Sequence, residues 1–278
     1  MAELRTKTFW EKLIRIDRRI IYLIIGLTII LPFFFRMGLP IPVTKEVKDI
    51  YDYIETLKPN DVVILSADYT PSVSPELNPM FDAILRHCFK NDVKVIAMSL
   101  QIQGPGLISP IIQEAANDYN KTNGVDYVFM PWIYGWTLVI MQMMENYQST
   151  FPTDYYGTRT EDLPMLKNIH NFEDYDLAIT FTGSSSYFWW LTYAHEPYGV
   201  PTAVGVTAVS AADLYPFIQS GQFIGILGGL KGAAEYETLI SETRMATIGM
   251  EAQNWAHIVI ILFIIIGNIG HLAIGRKK

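Results

Sequence analysis

The chain has 278 residues, 50% of them hydrophobic, and carries 21 basic against 28 acidic side chains for a formal net charge of −7. That balance excludes a nucleic-acid binder, because phosphates need neutralising lysine and arginine. A single cysteine, Cys88, excludes an internal disulfide, so stability has to come from one sizeable buried core.

The N-terminal residues 1–19 hold six basic side chains and an apolar stripe of Phe9, Trp10, Leu13 and Ile14. The stripe predicts an amphipathic segment on the cytoplasmic surface. The run IIYLIIGLTIILPFFF (20–35) follows. It is shorter than the roughly 20 residues of a spanning helix, but Leu39 and Ile41 extend it, and residues 20–42 are read as a first transmembrane helix. No small-x-small cleavage site follows the run: Phe33, Phe34, Phe35 and Arg36 stand there instead. An uncleaved anchor is therefore expected.

Residues 43–250 alternate in pattern. Helical spacing over 44–57, with Thr44 as N-cap, precedes the apolar run DVVILSA (61–67), which reads as a strand buried on both faces. A helix over 75–91 contains Cys88 as a buried thiol. A strand over 93–100, a helix over 107–122, a strand over 125–132 and a helix over 136–147 follow. Residues 148–165 combine turn formers with aromatics and read as a long ordered loop of the kind that has a job of its own or a lid-like role, with the role left open. Strands at 175–183, 201–209 and 222–229 then alternate with helices at 186–199 and 211–221, and a last helix begins near Lys231. This repetition predicts an α/β domain with a doubly wound, mainly parallel sheet of about six strands, Rossmann-like or flavodoxin-like. The pattern leaves the strand order open.

The run WAHIVIILFIIIGNIGHLAI (255–274) predicts a second transmembrane helix over 251–275. Gly267, Asn268 and Gly270 within it, with Gly26 in the first run, suggest contact with another membrane helix, in the same chain or in a neighbouring subunit. Arg276, Lys277 and Lys278 close the chain. Basic residues at both ends make both termini cytoplasmic and the main domain extracytoplasmic. Setting aside both tails, with nine basic and three acidic residues, leaves 12 basic and 25 acidic side chains outside.

Ligands of open parallel sheets bind beyond the carboxyl ends of the strands. The loops there supply Asp68 and Ser72, Gln103 and Gly104, Tyr134, Gly183 and Ser184, and Thr207 as candidate ligand contacts. The last such loop, GGLKG, adds Gly228, Gly229 and Lys231. Glycines before a helix N-terminus, with a lysine in its first turn, suit a small anionic ligand. They equally suit a tight turn that lets strand and helix pack closely. The spacing matches neither nucleotide-binding glycine motif. Ser184 or Ser185 with Lys231 would make an acyl-transfer dyad if the loops were neighbours, although no nucleophile elbow supports it. The five histidines are dispersed, so no metal site and no cofactor is expected. The aromatic stretch from Tyr187 to Tyr193 reads as core, as an interface, or as a sugar or ligand platform.

The segments FPTDYYGT (151–158), GVTAV (205–209), DLYPFIQSGQ (213–222) and GGLKGAAEYE (228–237) resemble a group of uncharacterised prokaryotic membrane-anchored α/β proteins. The likeness covers much of residues 60–240 and implies an α/β domain beside apolar helices, with no assigned activity, cofactor or partner. The expected function is a ligand-binding or assembly subunit of a membrane complex, bound to the lipid bilayer and forming homo-oligomers or joining other membrane subunits. The alternative is a membrane-tethered hydrolase or transferase using the strand-end crevice.

Overall fold

A computed structural model describes residues 16–35, 38 and 40–275. The chain divides into two units, Ile41–Thr247 and Met1–Pro40 with Ile248–Lys278.

In the first unit, β1 (Val62–Asp68) is buried along its whole length. Its near-continuous run of aliphatic residues fits a strand with both faces covered. Around it lie β2 (Lys94–Met98), β3 (Tyr127–Phe129), β4 (Leu177–Thr182), β5 (Thr202–Val206) and β6 (Ile226–Gly228), in the order β3-β2-β1-β4-β5-β6. Every pairing is parallel, with Ser66 opposite Met98 on one side of β1 and Asp68 opposite Thr182 on the other. This is the Rossmann order, which reverses direction between β1 and β4. β1 keeps the length of the run that announces it, one residue further on, whereas the other strands are shorter at both ends, most of all β3 and β6.

Helices α1 (Lys45–Thr56), α2 (Ser74–Lys90), α3 (Gly104–Asp118) and α7 (Gly229–Leu239) form one layer. The other face buries Ile64, Ile96 and Val128 under α4 (Trp136–Glu145), the segment that follows it and α5 (Tyr187–Trp190). Beyond β5, the short α6 (Tyr215–Gln219) packs Phe217 against Phe223 and Tyr187.

The helix layer is tied by buried charge. The Arg86 guanidinium, 2% exposed, meets Asp82 at 2.8 Å and Asp118 at 2.7 Å, and Arg244 reaches the same Asp82 at 2.6 Å. His87 lies between Tyr236 Oη and Glu55 Oε1, each at 2.7 Å, stacked on Tyr51. Burial lowers its affinity for a proton, and burial pushes the neighbouring Cys88 thiol up to about 12.

Two more buried carboxylates sit two residues apart on α7. Glu235 accepts from the Thr44 backbone N–H at 2.7 Å and from its hydroxyl at 2.6 Å, at the start of α1. Glu237 accepts from the backbone N–H groups of Arg244, Ala246 and Thr247 at 3.0, 2.9 and 2.8 Å. It thereby caps the first turn of the C-terminal helix, Met245–Gly275, where free N–H groups need acceptors.

The 148–165 loop covers an edge of the sheet. Tyr155 N–H donates to the Phe129 carbonyl of the edge strand β3 at 2.8 Å, and its ring packs on Phe129 with planes tilted by 30°. Asp154 holds the turn by accepting from Tyr156 N and Thr158 N. An exposed strand edge invites unwanted pairing, and this segment occupies it.

In the second unit, the expectation of a first spanning helix over 20–42 is corrected. The apolar run forms a 13-residue helix, Arg18–Ile30, started by Asp17 and followed by a 3-10 turn at Leu31–Phe33 containing Pro32. Thirteen residues rise ~20 Å, against a hydrocarbon thickness of ~30 Å. Proline interrupts the helical hydrogen-bond ladder beyond them. The C-terminal helix, of 31 residues, is long and apolar enough to cross over Met245–Leu272, and is the one such helix among the described residues. Two ends on the same side need an even number of crossings, so the two-pass arrangement with both termini cytoplasmic lacks support. This helix also begins before residue 251, where the spanning segment was expected to start.

Among the described residues, no atom lies within 4 Å of a Cβ added at Gly26 or Gly267. The Asn268 amide donates back to the Ile264 carbonyl at 2.9 Å, and Gly270 lies in the same helix. Glu251 accepts from Gly38 N–H at 3.2 Å. The stripe of Phe9, Trp10, Leu13 and Ile14 and the basic tail 276–278 lie outside the described residues.

Replacing Glu237 by alanine removes the acceptor of three backbone donors. Thermal unfolding of the detergent-solubilised full chain is expected to register a loss of about 2–3 kcal/mol. Glu237→Gln, which keeps one carbonyl oxygen, is expected to lose less.

Candidate functional site

Side chains alternate along a strand, so Ser66 and Asp68 point to the same face of β1. Asp68, 1% exposed, accepts four hydrogen bonds. Oδ1 takes Ser66 Oγ at 2.7 Å and the Leu100 N–H at 2.8 Å. Oδ2 takes Thr180 Oγ1 at 3.0 Å and Trp190 Nε1 at 3.1 Å. One carboxylate thus joins β1, the loop after β2, β4 and α5. Burial raises its proton affinity above the ordinary aspartate value, and the four donors oppose that rise. Burial likewise raises the Tyr69 phenol, whose hydroxyl donates to Asn78 Oδ1 at 2.8 Å.

Above Asp68, where the strand order reverses, is a crevice of about 140 Å³ lined by Asp68, Tyr69, Thr70, Ser72, Val73, Gln101, Gly183 and Ser184. Its hydroxyls are partly paired among themselves: Thr70 Oγ1 lies 2.9 Å from Ser72 Oγ, and Thr182 Oγ1 accepts from Ser184 N at 3.0 Å. The Gln101 side-chain amide has no hydrogen-bond partner among the described residues. Among the described residues, no lysine, arginine or histidine lines the crevice. The positive N-terminal end of α2, the usual seat of an anion beside β1, already carries Glu76 in its first turn. The Glu76 carboxylate accepts from Ala208 N–H at 2.8 Å.

α5 leaves the crevice loop and runs on through a π-helical turn, Leu191–His195, a distortion that recurs at functional sites. Trp189, five residues after Ser184, stacks on Trp136 of α4 with ring centroids 3.4 Å apart and planes 12° from parallel. Trp136 itself is 36% exposed and Tyr134, two residues before it, 85%, whereas the ring of Phe188 packs on Tyr187 and Phe217.

Of the residues singled out in the sequence, the fold brings Asp68, Ser72, Gly183 and Ser184 together in the crevice. The others stand elsewhere. Gln103 precedes α3 and is exposed, while Gly104 begins that helix. A Cβ on Gly104 would overlap the Ser99 side chain and stand 2.7 Å from the Ala67 carbonyl, so this glycine serves the docking of α3 on β1. Tyr134 lies with the exposed aromatics. Thr207 pairs with Ser210 at 3.2 Å.

Gly228 and Lys231 line a separate cavity of about 150 Å³ with Thr44, Glu46, Tyr215 and Glu235. Gly229 has φ +61°, and a Cβ there would stand 2.6 Å from Ala208 Cβ. The glycine run is thus a left-handed turn packed against the loop after β5. The Lys231 ammonium is paired with Glu235. Ser184 opens into the β1–β4 crevice and Ser185 lies beside it, while Lys231 belongs to the β6 cavity, so the serine–lysine dyad is not assembled. Tyr69, Thr70, Val73 and Gln101 are crevice residues absent from the selected contacts. Position directly after a strand was the available signal for Gln101.

A larger depression of about 500 Å³ lies at the amino ends of the strands, lined by Asn60, Asp61, Lys94, Asp174 and Asp176 among others. Its charged groups are committed internally, with Asp176 accepting from Val62 N–H at 2.7 Å and Lys94 paired to Asp126 at 3.3 Å. Among the described residues no group of three His, Cys, Asp or Glu side chains is arranged to hold a metal ion. Comparison with protein-family models, with curated proteins and with solved structures yields no match.

Asp68→Asn places an amide donor against one pair of existing donors, and a loss of roughly 1–3 kcal/mol is expected. The pH dependence has a definite sign. A carboxyl with a raised folded-state pKa binds protons more readily in the native protein. Its stabilising contribution is therefore full at low pH and declines as pH rises from the ordinary aspartate range through the folded-state value. The stability gap between wild type and Asp68→Asn is expected to shrink across that window and stay flat above it, read from denaturant midpoints at successive pH values.

Proposed function

We propose that this protein is a membrane-anchored binding module whose α/β unit holds a small polar ligand in the switch-point crevice. The observation that carries the reading is the crevice lining: hydroxyls, a free amide and backbone converge where parallel sheets bind ligands, with no basic side chain among them. That chemistry favours an uncharged ligand over the anion suggested by the glycine–lysine sequence. It weighs against the tethered hydrolase or transferase, because Ser184 Oγ meets Thr182 Oγ1 and both oxygens of Asp68, the one carboxylate present, are occupied. Nucleophilic catalysis needs an activating base within reach.

The anchor in this reading is the C-terminal helix. Arg276, Lys277 and Lys278 directly after it favour a cytoplasmic C-terminus and an extracytoplasmic α/β unit. The open space at Gly26 and Gly267 suits close approach by a helix of a second copy or of another membrane subunit. The resemblance to prokaryotic membrane-anchored α/β proteins accords with this organisation.

Native mass spectrometry of the particle extracted in gentle detergent tests the reading. A retained small molecule is expected in the wild type and its loss in Ser184→Trp, which fills the crevice. Retention unchanged by Ser184→Trp would place the ligand elsewhere. Protease added to sealed right-side-out cells is expected to cleave within residues 41–247, and cleavage confined to inverted vesicles would reverse the orientation.

A further inference from the structure

We infer that the ligand is a neutral saccharide, with part of one sugar ring hydrogen-bonded in the crevice and the remainder laid on the aromatic surface around Trp136 and Trp189. The inference rests on the crevice being a binding site.

Size comes first. A crevice of about 140 Å³ has room for about five waters at ~30 Å³ each, below the ~300 Å³ of ordinary small-molecule pockets. It takes a few hydroxyl-bearing carbons and leaves the rest of a ligand outside. Next is charge. The lining has no basic side chain, and α2 begins with Glu76, so phosphate and carboxylate ligands lack a counter-charge. What the crevice offers is the Gln101 amide, with donors and an acceptor, and the hydroxyls of Thr70, Ser72 and Ser184, each able to give and accept. Vicinal hydroxyls match that set.

The neighbouring surface supplies the other half of the chemistry. α5 begins after the crevice loop and stacks Trp189 on Trp136, and Tyr134, two residues before Trp136, is exposed. Exposed aromatic rings present a flat apolar face with negative quadrupole. A sugar ring pairs with such a face through its axial C–H groups, which carry partial positive charge, while its equatorial hydroxyls remain free for hydrogen bonds. Trp190, the next residue, donates to Asp68. The rigid hub beneath the crevice therefore also fixes the start of the aromatic surface.

The test uses the full-length protein in a detergent without a sugar headgroup, so that the detergent does not compete. Glucose, galactose, mannose and disaccharides of glucose and N-acetylglucosamine are titrated while indole fluorescence is followed. At least one saccharide is expected to give a saturable change. Trp136→Ala and Gln101→Ala are each expected to raise its Kd about tenfold, equivalent to about 1.4 kcal/mol. Trp136→Phe, which keeps a ring, is expected to recover most of the loss and guards against an unfolded alanine variant. Saccharide binding that is indifferent to Trp136 and Gln101 overturns the inference. So does the absence of saccharide binding alongside retention of a different molecule that Ser184→Trp displaces, although the binding-module reading then survives. Failure of every saccharide together with no crevice-dependent ligand of any kind removes both.

Discussion

The arrangement of this molecule depends on a carboxylate removed from water at the carboxyl edge of its central strand. Burying a charge is costly unless its lone pairs are met by donors. Asp68 meets that condition with four donors from four parts of the chain. β1 is bound on both sides by parallel neighbours, but strand hydrogen bonds leave the course of the loops open. The Asp68 donors bring Leu100 and Trp190 toward the same point and so define the floor of the crevice.

Buried carboxylates recur where the chain enters and leaves the α/β unit. Glu235 engages Thr44 at the entry, and Glu237 engages Ala246 and Thr247 at the exit. Both belong to α7, whose left-handed Gly229 seats it against the loop whose Ala208 N–H donates to Glu76. Arg244 ties the same exit to Asp82 and Glu114. Backbone donors at a helix start need acceptors, and here remote side chains supply them where local capping residues do not.

Hydroxyls and an amide converge over Asp68, while Trp136 of α4 and Trp189 of α5 stack on each other. The 148–165 segment takes no part in either. Its Asp154 turn and Tyr155 close the β3 edge, a structural task for a segment whose length and aromatic content suggested a job of its own or a lid-like role.

The sequence by itself determined the alternation of six strands and their helices, because aliphatic runs between amphipathic stretches have few other ways to be buried. It also picked out Asp68, Ser72, Gly183 and Ser184, since position after a strand places a residue at the ligand-binding edge of any parallel sheet. Only the tertiary structure decided that β4 lies beside β1, which makes those residues neighbours and separates Ser184 from Lys231. Strand order is set by packing between segments far apart in sequence, and no local pattern records it. The same holds for Glu235 and Glu237, which look like solvent-facing helix residues until the N–H groups they accept from are brought to them. The apolar run after residue 20 misled because composition measures greasiness, whereas a crossing requires an unbroken helix, and Pro32 and the cap at Asp17 limit this one to 13 residues.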